Sequence, residues 1–184
     1  MALRRLARLT PAAGLKILGR RREGSTAVEF AMVALPFAIM MFSVVEIAFV
    51  FVLDSALENA VIETGRRVRT GQASAAGYTA DTFKTAVCEK MSIFSTGCSA
   101  KLTVDVRVIP QFNNPTLPDP LGGSSFNASG LTYNNGSPDN LMLIRAWYKH
   151  TLFTPFLRQG LSRLGTDDAY LTATTAFRNE PWNG

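Results

Sequence analysis

The sequence predicts an α+β protein: a long N-terminal transmembrane helix, then a small exported domain with an antiparallel sheet and short helices. Three observations predict it. Residues 30–53 are 24 positions interrupted only by Pro36, Ser43 and Glu46, and about 20 apolar residues suffice to cross the hydrocarbon core as a helix. "LTVDVRVI" and "AYLTATTAF" alternate apolar and polar residues with the period of a half-buried strand. Between and beside them lie short segments that carry helix start and stop residues.

The first element is a basic leader. Residues 1–24 hold Arg4, Arg5, Arg8, Lys16, Arg20, Arg21 and Arg22 against Glu23, a net +6, so the remaining residues together carry −1 of the chain's +5. Basicity confined to a tail is not the footprint of a nucleic-acid-binding face, and no nucleic-acid partner is expected. The apolar run follows at once. Basic residues are denser before it than after it, where Arg66, Arg67 and Arg69 stand. That asymmetry places the N-terminus in the cytoplasm and the C-terminal part outside. The run is too long for the core of an ordinary secretory signal, and no small-residue cleavage site follows it.

Beyond the run, Leu53, Leu57, Ala60, Val61 and Thr64 keep helical spacing, with Gly65 and Gly71 as the first credible stops. The chain thus divides into a leader (1–24), a transmembrane and projecting helix (25–72) and an exported α+β domain (73–184). A second helix is expected from about Asp81, with Phe83, Val87, Met91 and Phe94 on one face and Gly97 closing it. In the first strand Leu102, Val104, Val106 and Val108 are expected to face inward, and Thr103, Asp105 and Arg107 outward. "LMLIRAWY", apolar on nearly both faces, reads as a central strand. Thr154 and Pro155 open a short helix that Gly165 stops. The 31 residues between Ile109 and Leu141 form a Pro-, Asn-, Gly- and Ser-rich loop, long enough to suggest a role of its own.

Chemistry is concentrated at the seam, "GRRREGSTAVEFAMVALPF". A membrane protease needs an extended, unhindered backbone, which Gly24 supplies by lacking a Cβ. A cut after Gly24 would free the Ser25 amine and leave Glu29 as the fifth residue of the mature chain. Both groups are costly at a membrane boundary unless paired, and staggered copies could pair one chain's Glu29 with a neighbour's Ser25 amine. Glu46, inside the apolar run, could be protonated, could reach outward to the interface or could meet a partner helix, and the last of these is expected. Pro36 removes an amide donor and should loosen the helix there.

Cys88 and Cys98 lie on the exported side, where an oxidising compartment favours a disulfide. No metal is expected, since these two cysteines and the single His150 fall short of a tetrahedral ligand set. There is no nucleophile elbow and no phosphate-cradling glycine loop after a strand. Neither an enzyme, a cofactor nor a small-molecule substrate is expected.

"G-STAVEF", the apolar run, "VVEIA" and "SALENAVIETGRRV" together resemble the N-terminal domain of the TadE-like family, pseudopilins of the Tad (Flp-type) pilus system. The resemblance covers residues 20–70 closely, and the terminal "AFRNEPW" looks similar more loosely. It implies cleavage between Gly24 and Ser25 by an aspartic prepilin peptidase of the inner membrane. It also implies an assembly role for Glu29, Phe30 and Glu46, and a minor pilin or pseudopilin acting with other pilins of the system. Phe30 stands where many members carry Tyr, and Ser43 and Ala48 where glycine is common. The alternative function is an unprocessed membrane protein with one span and a periplasmic binding or sensing domain.

Overall fold

The structure is a computed structural model that describes residues 22–113 and 115–182, with side chains from Gly24 onward. All but the last residues of the expected basic leader lie outside the described residues. The chain forms two compact units, Met1–Phe42 and Ser43–Gly184.

Helix α1 runs Arg22–Arg69 and carries Pro36 within it. In the first unit its side chains are almost all exposed, Phe30, Met32, Val33 and Leu35 among them. An all-round apolar helix with no protein cover is suited to lipid rather than water. From Ser43 onward the same helix belongs to the second unit, whose core holds its Leu53, Leu57, Ala60, Val61 and Val68. Within the second unit the apolar run is buried on one face, at Ser43, Glu46 and Leu53. Gly65 does not stop the helix; Gly71, in the left-handed region at φ 77°, does.

The second unit is a three-stranded antiparallel meander, β1 (Leu102–Val108), β2 (Leu141–Thr151) and β3 (Asp168–Arg178), in spatial order β1-β2-β3. β2 is the central strand, as its two-sided apolar pattern requires. One face of the sheet, with Leu102, Val104, Val106, Met142, Ile144, Ala146 and Ala173, packs into a common core with α1. α1 and β2 lie side by side and antiparallel. A Cβ on Gly65 would come within 3.2 Å of Ile144, and Glu46 bonds to the Phe153 amide. The distances agree: 19 helical residues rise about 28 Å and nine strand residues about 30 Å.

Short helices close the ends. α2 (Gln72–Ala75) follows Gly71, and α3 (Ala80–Lys90) starts at a capping box between Thr79 and Thr82. The expected second helix is broken after Lys90. Met91 caps it, Ser92 takes a positive φ of 53°, a 3₁₀ turn covers Ser92–Phe94, and α4 (Cys98–Lys101) leads into β1. Phe83, Val87 and Met91 still share the buried face. α5 (Pro155–Leu161) begins at the expected proline but ends at Leu161, four residues short of Gly165.

The second face of the sheet is covered over β1 and most of β2, though Thr172, Thr174 and Ala176 of β3 are exposed there, and the expectation for Asp105 is corrected here. Its side chain points away from the α1 core as the alternation demands, yet it is 0% exposed. The 110–140 loop covers it. Thr132 and Asn134 exchange backbone bonds of 2.8 Å with Val106, sealing the outer edge of β1. Phe126 stacks on Tyr170, 4.9 Å between ring centres. Val108, expected inward, is 40% exposed because it ends the strand beyond the core.

Candidate functional site

The site residues fall into two groups, one in each unit. In the first unit Gly24, Ser25, Glu29 and Phe30 occupy the opening turns of α1. The Ser25 hydroxyl donates to the Glu29 carboxylate at 2.9 Å, one turn apart. Nothing lies within 4 Å of a Cβ built on Gly24. Phe30 is 74% exposed. Gly24 is helical in the isolated chain. The reason is that the helix propagates back through it from the apolar run. Its position in the first turn, where amides lack helical partners, and its low helix propensity make it easy to unwind there.

In the second unit Glu46 is 5% exposed, one of the few buried polar residues of α1. Its carboxylate accepts from the Phe153 amide at 2.5 Å and from the Thr154 amide at 2.8 Å. Local chemistry explains the arrangement. β2 ends at Thr151 and α5 starts at Pro155, so the amides between them have neither a ladder nor a helix to bond to. The Thr154 side chain makes no capping bond. A carboxylate arriving from α1 satisfies both donors, and charge-assisted bonds of this kind are the stronger ones. Within this chain the partners of Glu46 are these two amides.

Beside this clasp, aromatic rings join three elements. Phe49 of α1 lies 5.5 Å from Phe94 and 5.5 Å from His150, and His150 lies 6.0 Å from Phe153. Burial pushes His150 below its ordinary 6.5, the charge on Glu46 opposing that shift. A neutral imidazole therefore packs against the phenylalanines.

Cys88 and Cys98 are joined in a disulfide with Cα atoms 5.7 Å apart, linking the end of α3 to the start of α4. The bond spans the break at Met91–Gly97 and holds both cysteines in the core.

Two arrangements have no counterpart in the sequence reading. Asp105 receives Arg107 at 2.6 Å, Arg145 at 2.7 Å and the Thr132 amide at 2.9 Å. Burial alone would raise its pKa, but these bonds outweigh it and hold the carboxyl below its ordinary 3.8. Arg145 also donates to the Pro118 carbonyl and Arg107 to that of Gly130, so the cluster fastens the long loop to the sheet. The register Asp105↔Arg145 is the signal, and it requires knowing which strands pair. At the opposite end of the unit from Glu46, Arg69 bonds Glu180 at 2.8 Å, the Glu180 amide donates to the Arg69 carbonyl, and Trp182 covers Gly71. The terminal "AFRNEPW" thus closes the chain on the end of α1. A groove between α1, α5 and the sheet, lined by Phe51, Leu157, Leu161, Trp147 and Tyr170, contains none of the expected site residues.

Residues 24–66 match the family model described as TadE-like protein. No curated protein and no solved structure matches the chain. The match begins at Gly24, runs through the Ser25–Glu29 pair and the buried Glu46, and ends within the last turns of α1. Over that helix the chain is similar to TadE-like proteins.

Proposed function

We propose that the protein is a minor pilin or pseudopilin that takes part in assembling a Tad (Flp-type) type IV pilus after its leader is removed. The observation that carries this reading is the TadE-like match, which starts at the proposed cleavage residue itself and covers the helix that would anchor and assemble the subunit. The helix Gly24–Arg69 has a stretch long and apolar enough to cross a membrane. In this reading the chain crosses the bacterial inner membrane once, with the N-terminus cytoplasmic and the disulfide-bearing unit in the periplasm. A prepilin peptidase cuts between Gly24 and Ser25, and other pilins or pseudopilins of the system are the partners.

In this reading the cut has a purpose. Ser25 and Glu29 already share one face of α1, 2.9 Å apart through the serine hydroxyl. Cleavage turns Ser25 into a terminal ammonium. The Glu29 carboxylate then has a cationic partner at the membrane boundary, supplied by a neighbouring, axially staggered subunit. Charges in that low-dielectric setting attract far more strongly than in water. The exposed apolar helix around them, with Phe30, packs against neighbouring helices.

N-terminal sequencing of protein extracted from cells that hold the cognate peptidase tests the reading. The mature chain is expected to begin at Ser25. A protein found intact from Met1 while pili still assemble would overturn it.

A further inference from the structure

The two edges of the sheet differ. On β1 the outer backbone groups are taken: Thr132 and Asn134 bond to Val106 and close that edge. β3 is paired on one side only. Its register with β2 runs unbroken from Asp168 to Arg178, with no bulge. Two bonds bracket this ladder and fix its phase, Leu152 amide to Asp167 carbonyl and Asn179 amide to Asn140 carbonyl. In an antiparallel pair alternate residues turn both backbone groups toward the partner strand. The odd-numbered residues of β3 therefore bond to β2, while Tyr170, Thr172, Thr174 and Ala176 turn their amides and carbonyls outward. Among the described residues nothing bonds to those outward groups.

Such an edge is a template for another strand, and proteins ordinarily blunt it with lysine, proline, a bulge or a cover. "DAYLTATTAFR" carries none of the first three, and its only charges, Asp168 and Arg178, stand at its ends. In place of a cover the edge has a groove beside it. Leu171, Thr172 and Thr174 line the groove from β3; Phe51 of α1 and Leu157 and Leu161 of α5 line it from outside the sheet. Phe51 is 70% exposed. All of these residues belong to the second unit.

We propose that the β3 edge and its groove take an extended segment of another protein, which joins the sheet as a fourth strand. The backbone of that segment bonds to Tyr170, Thr172, Thr174 and Ala176, and its alternate, apolar side chains lie in the groove against Phe51 and Leu171. A row of backbone donors and acceptors at every second residue selects an extended chain. A helix has already used its own backbone groups, and lipid tails have none to offer. A second copy of this chain fits less well. Its β1 edge is closed, and its β3 would join antiparallel about a two-fold, running the two copies of α1 in opposite directions. The assembly proposed above needs them to run in one direction, and on that point the fourth strand rests on the proposed function.

The test uses the full chain in detergent, with its disulfide intact, and a synthetic peptide of alternating valine and threonine with lysine at both ends. Amide hydrogen exchange is read residue by residue. The peptide is expected to slow exchange several-fold at Tyr170, Thr172, Thr174 and Ala176. Ala173 and Thr175, already bonded to β2, should not change. A twin peptide N-methylated at every valine and threonine keeps the side chains but lacks their backbone donors, and should protect none of the outward amides. No protection by the first peptide, or equal protection by both, overturns the fourth strand. Protection that appears without peptide as the chain is concentrated means a second copy covers the edge, which also overturns it. None of these results bears on leader cleavage, which N-terminal sequencing decides separately.

Discussion

Glu46 and Phe153 stand 107 positions apart and are joined by a carboxylate-to-amide bond of 2.5 Å. With the Thr154 amide at 2.8 Å this clasp ties the outer part of the apolar run of α1 to the far end of the sheet's central strand. Glu46→Ala would strip the acceptor from two amides in a buried turn, each worth about 1–3 kcal/mol when left unsatisfied. We expect a fall in stability of that order in the detergent-solubilised chain. Hydrogen exchange at Phe153 and Thr154 should accelerate, while that at Ile144, at the other end of β2, changes little. Glu46→Gln, which keeps one acceptor oxygen, should lie between. Unchanged exchange at both amides would mean the clasp contributes nothing.

At the other end of the molecule's chemistry, Gly24 and Glu29 should fail at different steps. Gly24→Val places a β-branched side chain on the backbone the peptidase must extend, so the precursor is expected to stay full length. Glu29→Gln alters neither the glycine nor the span. It should be cut to mature length yet assemble poorly, because an amide cannot neutralise an ammonium. Immunoblots for length, with imaging for pili, separate the two blocks. Uncut Glu29→Gln would make the carboxylate a recognition element for the peptidase, and normal pili would make it an interfacial residue only.

The disulfide closes a loop of sequence separation 10 across a break in helical structure. Replacing both Cys88 and Cys98 by serine should cost about 3 kcal/mol by the loop-closure estimate. Thiol labelling of the unreduced protein should find neither cysteine reactive. Labelling of both without reduction would place the stability of the unit on its core alone.

Asp105 gives the unit a particular acid sensitivity. Its folded pKa lies below its ordinary 3.8, so its contribution is present above that value and is lost as the pH falls through 3.8 towards the folded value. Asp105→Ala leaves Arg145 and Arg107 without their carboxylate, a loss of about 3–5 kcal/mol for a buried pair. The variant's stability should therefore vary less with pH in the acid range than that of the wild type. Parallel acid slopes in denaturation curves would refute the assignment.

Gly71 is held at φ 77°, and a Cβ there would lie 2.5 Å from the Trp182 ring. Gly71→Ala should cost about 1–2 kcal/mol from the left-handed backbone alone, plus the displacement of Trp182. A red shift and increased quenching of tryptophan emission would report that displacement. In a Trp182→Ala background the steric part should vanish and the backbone part remain.

Sequence alone determined what one-dimensional periodicity can carry. The apolar run, the strand alternations, the central position of β2, Pro155 at a helix start and the Gly24–Glu29 spacing each depend on neighbours within a few residues. The match of residues 24–66 to the TadE-like family model is equally local. Tertiary structure alone decided where α1 stops being exposed and becomes core, because that depends on which sheet packs beside it. It also gave Glu46 an intramolecular partner, since the donors are orphan amides of a turn 107 positions away that no side-chain pattern marks. Asp105 follows the same rule. Alternation correctly put it on the face opposite the core, but only the return of the 110–140 loop and the pairing with Arg145 turned an outward carboxylate into a buried one. Periodicity tells which way a side chain points; what waits there is set by chain that comes back from far along the sequence.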